Sequence, residues 1–183
     1  MILNKETVIK SCKSVLIGIT LVFSGNLVAE PYLGVGGALV SFDASAKAAE
    51  PVNALLRAGY AFNPYFEIGG ELGYTVIEDD VFDINYDVDT RFIFVQANIV
   101  MDSGTKLYLM IGRSEVKLDS TSGPVDFGGE DSGTGYGIGL QFPGDKNSYG
   151  AIDYINYYDS EFDDIFTDAV VDSINFSYVR YFD

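Results

Sequence analysis

Beyond residue 31, apolar and polar positions alternate along stretches of roughly ten residues, the period-two pattern of strands with two unlike faces. Eight such stretches are predicted as strands: Tyr32–Phe42, Asn53–Phe62, Phe66–Thr75, Thr90–Met101, Lys106–Leu118, Gly133–Phe142, Ser148–Tyr158 and Val170–Phe182. Each is about as long as the nine to eleven residues that a tilted strand needs to cross a bilayer. The second and third carry the clearest pattern. Leu56, Ala58, Tyr60 and Phe62 share one face and Arg57, Gly59 and Ala61 the other; Phe66, Ile68, Gly70, Leu72 and Tyr74 oppose Glu67, Gly69, Glu71 and Gly73. Matching like faces sets the register. A three-residue turn, Asn63-Pro64-Tyr65, places Phe62 opposite Phe66 and Arg57 opposite Glu71.

The connections between these stretches alternate in length. Asp43–Val52, Val76–Asp89, Asp119–Ser132 and Asp159–Ala169 are long; Asn63–Tyr65, Asp102–Thr105 and Pro143–Asn147 are short. Short turns on the periplasmic side and long loops outside are the habit of membrane-spanning barrels. The predicted fold is therefore all-β: a closed antiparallel eight-stranded transmembrane β-barrel with short periplasmic turns and long acidic extracellular loops. Such a barrel is inside-out, with apolar side chains toward lipid. Arg57, Glu67 and Glu71 are then expected inside the lumen, with Arg57 and Glu71 as an ion pair, since a lone charge there is costly. Tyr136, Ile138, Leu140 and Phe142 are expected toward lipid, and Asp153 inward between Ile152 and Tyr154. Arg113, Glu115 and Lys117 share a face and suggest a charged upper lumen. Thr90–Met101 is ambiguous, because turning Gln96 and Asn98 inward also turns Phe92 and Phe94 inward. Tyr32–Phe42 is rich in glycine and sets no phase.

The N-terminal segment differs from the rest. Lys5, Lys10 and Lys13 precede the apolar run Val15–Phe23, and a small residue, Ala29, closes the segment. This predicts a signal peptide over residues 1–29 and a mature barrel domain over 30–183, exported to the cell outer membrane. The single cysteine, Cys12, falls in the predicted signal, so the mature chain lacks thiol chemistry and disulfides.

Charge narrows the partners. Past residue 29 the chain keeps 8 basic and 26 acidic residues, the signal holding Lys5, Lys10, Lys13 and Glu6, for a net charge of −18. Nucleic acid is excluded, because its binding rests on Lys and Arg meeting phosphate. The acid concentrates in the long loops, where Glu78-Asp79-Asp80 and Asp163-Asp164 crowd carboxylates without a basic neighbour in the same loop. Carboxylates are suitable hard ligands for Ca²⁺ or Mg²⁺. No loop has the spaced ligand pattern of an EF-hand. The two readings are weak divalent-cation sites at Glu78, Asp79, Asp80, Asp163 and Asp164, or a solvated acidic rim.

Aromatic residues near strand ends match an interfacial girdle: Tyr32, Phe42, Tyr60, Phe62, Phe66, Tyr74, Tyr108, Phe142, Tyr157, Tyr158, Tyr178, Tyr181 and Phe182. Three stretches carry a resemblance: Pro31-Tyr32-Leu33-Gly34-Val35-Gly36, then Gly59-Tyr60 with Phe66–Tyr74, and the terminal Phe176-Ser177-Tyr178-Val179-Arg180-Tyr181-Phe182. Over about Glu30 to Asp183 the chain resembles the small OmpA/OmpX-type outer-membrane barrels. That resemblance implies an outer-membrane lipid and lipopolysaccharide environment and a C-terminal strand read by the barrel-assembly machinery. Phe182 fits the assembly signal, and Asp183 after it departs from it.

Enzymatic outer-membrane barrels generally use a histidine as general base, and this chain has no histidine. No cofactor is expected. About eight strands enclose a lumen that side chains fill, against about sixteen for an open pore. The functional expectation is a non-enzymatic envelope or surface-interaction protein. The alternative is a soluble lipocalin-like periplasmic barrel binding a small apolar ligand, which would reverse the two faces.

Overall fold

The computed structural model describes residues 29–44, 47–80, 84–122, 125–162 and 166–182. The predicted signal segment before Ala29, Asp163 and Asp164 lie outside the described residues. All regular structure within them is strand: β1 (Glu30–Ala44), β2 (Lys47–Ala49), β3 (Val52–Asn63), β4 (Phe66–Ile77), β5 (Asp79–Asp80), β6 (Asn85–Val100), β7 (Lys106–Ser122), β8 (Val125–Pro143), β9 (Ser148–Phe162) and β10 (Phe166–Tyr181). The eight long strands pair antiparallel in the order β1-β3-β4-β6-β7-β8-β9-β10. β10 returns to β1, from Tyr32 opposite Tyr181 to Ala44 opposite Ala169, and closes the barrel. Closure gives each long strand partners on both sides across the lipid-facing belt, as a lipid environment demands. Among the described residues β8 and β9 are paired only from Tyr136 opposite Asn156 to Pro143 opposite Tyr149.

The faces are inside-out. Arg57, Glu67, Glu71, Gln96, Asn98 and Asp153 are buried within the barrel, Arg57 at 2% exposure. Leu33, Leu56, Ile68, Ile93, Ile111 and Ile138 are exposed on the outside, Ile93 at 69%. A soluble lipocalin-like barrel would carry the opposite arrangement, so that alternative is not favoured. The structure resolves the ambiguous strand: Gln96 and Asn98 point inward, and Phe92 and Phe94 go with them. β1 also takes a definite phase, with Tyr32, Ala38, Val40 and Phe42 inside and Leu33, Val35 and Leu39 outside.

Four expectations need correction. The first turn is Pro64-Tyr65, not three residues, and Asn63 rather than Phe62 stands opposite Phe66. A register shift between Ala61 and Asn63 absorbs Phe62 as a bulge, which preserves the pairing of Arg57 with Glu71. The Asn63 carboxamide caps this turn by accepting from the Tyr65 and Phe66 amides at 2.8 and 3.0 Å. Second, the long connections are mostly strand. β7 and β8 stay paired as far as Ser122 and Val125, for example.

Third, Arg113, Glu115 and Lys117 do not line the upper lumen. Their neighbours Ser114, Val116 and Leu118 are buried instead. The upper interior is an apolar plug of Val40, Phe42, Val88, Val116, Leu118 and Val171. Each such side chain contributes roughly 1.5–3 kcal/mol when fully buried, and this gives the hairpins a reason to continue as paired strands. Fourth, the aromatic girdle is smaller than expected. Tyr60, Phe66, Tyr74, Phe142, Tyr178 and Phe182 are exposed on the outside, but Tyr32, Phe42, Tyr108, Tyr157, Tyr158 and Tyr181 are buried.

Candidate functional site

Two polar clusters occupy the lumen below the plug. The central one forms around Arg57. From β3, its Nε donates to Glu71 Oε2 of β4 at 2.8 Å and its Nη2 to the same oxygen at 2.5 Å. Nη2 also reaches Asp153 of β9 at 3.0 Å. The remaining carboxylate oxygens are occupied as well. Tyr157 donates to Glu71 Oε1 at 2.8 Å, and Tyr108 donates to Asp153 Oδ2 at 2.6 Å. The Asn175 amide donates to Asp153 Oδ1 at 3.0 Å and to Glu71 Oε1 at 3.3 Å. Buried charge is costly unless paired and hydrogen-bonded, and every oxygen of the two carboxylates here has a donor. The Arg57 guanidinium also lies 5.8 Å from the centre of the Phe94 ring. Among the described residues Arg57 Nη1 and the Tyr32 hydroxyl have no hydrogen-bond partner, an arrangement suited to an internal water.

The second cluster sits near the end with the short turns. Lys106 Nζ lies 3.2 Å from Glu67 Oε1 and donates to the Tyr181 hydroxyl at 3.3 Å. It stands over the rings of Tyr181 and Tyr149, at 4.4 and 4.8 Å from their centres. Asn98 and Tyr181 donate to Glu67 Oε1 at 2.9 and 3.0 Å. Below Lys106 a pocket of about 360 Å³ opens at the mouth, lined by Glu30, Asn63, Asn147 and Tyr149 among others.

Glycine makes room for this filling. A Cβ on Gly69 would lie 2.2 Å from the Tyr32 hydroxyl oxygen, so only glycine admits that ring. Neither cluster presents a nucleophile beside a base or an open metal position. What the arrangement does chemically is neutralise charge and fill space.

The sequence-predicted site residues fall into two groups. Arg57, Glu67 and Glu71 are together on the inner wall, Glu67 in the lower cluster and Glu71 in the central one. At the opposite end, Asp79 and Asp80 pair with Tyr86 and Asn85, and Asp79 accepts from the Glu50 amide at 2.8 Å. Glu78 is exposed beside them. Among the described residues no three carboxylates converge as a metal ligand set. Also at this end, Asp87 has its pKa raised, first by burial and then by Glu78, Asp89 and Asp119, with Lys117 opposing. Sequence reasoning missed the lumen roles of Lys106, Tyr108, Tyr157 and Tyr181. Parity along the strand held the signal, since Tyr108 is in phase with Met110, and Tyr181 with Val179, opposite to the lipid-facing Tyr178.

The family model for the outer membrane protein beta-barrel domain matches residues 14–182. The chain belongs to this family. Solved outer-membrane barrels share the fold. Neisserial surface protein A matches with a TM-score of 0.70 at 15% identity, covering 84% of this chain and 99% of that one. Ail, the attachment invasion locus protein of Yersinia pestis, solved in complex with the heparin analogue sucrose octasulfate, matches at TM-score 0.63 and 19% identity, covering 84% and 99%. OprG from Pseudomonas aeruginosa matches at 0.57 and 10%, covering 84% and 96%. No curated protein matches the chain. The outer-membrane barrel domain resides in the cell outer membrane and crosses it with strands. Among its described residues no helix is long and apolar enough to do so. Its apolar belt meets lipid, and its Arg57 and Lys106 clusters lie in the interior.

Proposed function

We propose that this outer-membrane barrel is a non-enzymatic structural element of the envelope. In this reading a signal over residues 1–29 is removed on export, the barrel-assembly machinery inserts the barrel, and the long hairpins face outward as an acidic surface. The observation that carries it is the filled lumen. Arg57, Glu71 and Asp153 lock its middle, Lys106 and Glu67 its lower end, and the Val88–Val116–Val171 plug its upper end. Side chains that fill the interior at three levels favour a structural role over a wide pore, and the absence of histidine removes the usual general base.

Divalent cations gather at the acidic rim, at Glu78, Asp79 and Asp80 and at Asp163 and Asp164, as a weakly held layer rather than as chelated ions. Crowded carboxylates repel, and a shared cation relieves that repulsion. Three experiments test the proposal. Planar-bilayer recordings should give no steady conductance, and deletion of the gene should sensitise cells to detergent and to chelator. Sustained channel currents would replace the structural reading with a transport one. Titration of calcium into the detergent-solubilised barrel should raise its melting temperature only at millimolar concentrations. A micromolar response would point to a built site instead.

A further inference from the structure

The outer end of the barrel is acidic on most sides, with Asp43, Glu130, Asp159 and Asp172 on β1, β8, β9 and β10. Among the described side chains, its exposed basic residues are Arg91, Arg113 and Lys117, all on the neighbouring strands β6 and β7. Arg91 and Arg113 are the first charged residues beyond the apolar belt, two positions from the lipid-facing Ile93 and Ile111 respectively. They stand diagonally, since Arg113 pairs with Ile93 and Arg91 with Glu115. Arg91 forms an exposed ion pair with Glu115. Arg113 donates to the neutral Ser132 hydroxyl at 2.6 Å and forms no ion pair among the described residues. One guanidinium charge at the membrane boundary is therefore left over.

A second feature adjoins this pair. On the same outer face a groove of about 330 Å³ is lined by Leu56, Ala58, Gly70, Leu72, Ile93 and Arg91. Its floor is the cross-strand pair Ala58–Gly70, and Ile93 stands next in the same row. Gly70 does not serve close backbone approach: a Cβ there would meet its nearest neighbour, the Phe92 carbonyl, only at 3.7 Å. The missing side chain leaves room on the lipid side instead. An apolar groove running up to a cation at the boundary matches an amphiphile with an acyl chain and an anionic head.

We propose that the outer face of β3, β4, β6 and β7 binds one glycolipid of the lipid A type, with a phosphate on Arg91 and Arg113 and an acyl chain over Ala58 and Gly70. Planar guanidinium groups suit phosphate oxygens, and cations at an anionic membrane surface are favoured. The long hairpins put both arginines on the outer leaflet, where lipid A is the phosphate-bearing lipid. The inference takes from the proposed function only the outward placement of those hairpins, which protease shaving of intact cells tests separately.

The experiment is native mass spectrometry of the detergent-solubilised barrel titrated with bis-phosphorylated lipid A, phosphatidylglycerol or phosphatidylethanolamine. Wild type should retain one lipid A in preference to either phospholipid. The R91Q/R113Q double variant should bind it roughly thirtyfold more weakly. Gly70→Phe, which fills the groove, should also weaken it. Gly150→Phe is the control: its position on β9 is exposed and has no neighbour within 4 Å, so it should bind as wild type does. Heat-modifiable gel mobility verifies that each variant is folded. Equal retention of phosphatidylglycerol, unchanged binding by R91Q/R113Q, or equal losses in Gly70→Phe and Gly150→Phe would overturn the proposal.

Discussion

Tyr157 donates its hydroxyl to Glu71 across the full width of the lumen, at 2.8 Å, from β9 to β4 on opposite walls of the ring. Tyr157 points inward by alternation, in phase with the buried Asp153 and Ile155. The register between β9 and β10 shifts after Val171, leaving Tyr157 without a direct partner on β10 and bringing Tyr158 inside beside it. Tyr158 uses the same displacement to donate to Asp131 of β8 at 2.7 Å. The central cluster is thus a cross-brace, and its members differ in what their loss would expose.

Arg57→Ala leaves Glu71 and Asp153 buried without their cation. The expected cost is about 3–5 kcal/mol, the range for breaking one side of a buried pair. Tyr157→Phe removes the hydrogen bond to the charged Glu71 and a longer one accepted from Ser173, and should cost about 1.5–3 kcal/mol. Urea unfolding in detergent, followed by gel mobility, measures both. Equal losses would mean that the charge pairing is not what holds the centre.

Lys106→Ala should cost less than Arg57→Ala, about 1–3 kcal/mol. Glu67 keeps Asn98 and Tyr181 as donors, and the adjacent mouth pocket admits water to the vacated site. The same unfolding assay orders the two variants, and a reversed order would place the main lock at the mouth.

Gly112→Ala should impair folding, because a Cβ there would lie 1.9 Å from the Ile93 carbonyl oxygen on the paired strand. The strands must separate or the pairing must shift, at about 1–3 kcal/mol. Gly150→Ala meets nothing within 4 Å and should fold as wild type does. Refolding yield from urea into detergent micelles compares them.

Asp87 lies beyond the boundary marked by Arg91, outside the apolar belt, and its pKa is raised from the ordinary 3.8 by burial, Glu78, Asp89 and Asp119, against the opposing pull of Lys117. A carboxyl with a raised folded-state pKa carries no penalty below 3.8, where both states are protonated. The penalty develops as pH rises through the folded value and persists at neutrality. Asp87→Asn should therefore slow hydrogen exchange at pH 7 in the outer ends of β6 and β7, where Asp87 stands opposite Asp119. The difference from wild type should vanish as the pH falls below the aspartate range. A difference independent of pH would trace the effect to packing.

Much of this protein was legible along the chain. Period-two alternation in Leu56–Phe62 and Phe66–Tyr74 is a local property, so it set the faces of β3 and β4 and the pairing of Arg57 with Glu71 before any fold was known. The alternation of long and short connections likewise foretold the barrel, though not that the long ones continue as paired strands. Parity alone could not tell what lay above the membrane: the same alternation puts either Arg113, Glu115 and Lys117 or Ser114, Val116 and Leu118 inside, and burial of the valines and leucine against Val88 and Val171 decided it. Nor could it assemble the rest of the central cluster, although it had turned Asp153 inward. Asp153, Tyr108, Tyr157 and Asn175 come from β9, β7 and β10, far from Arg57 in sequence. They meet it only because β10 pairs with β1 and closes the ring. Face and neighbour-strand register follow from local geometry, whereas contacts across a lumen exist only once the barrel has closed around it.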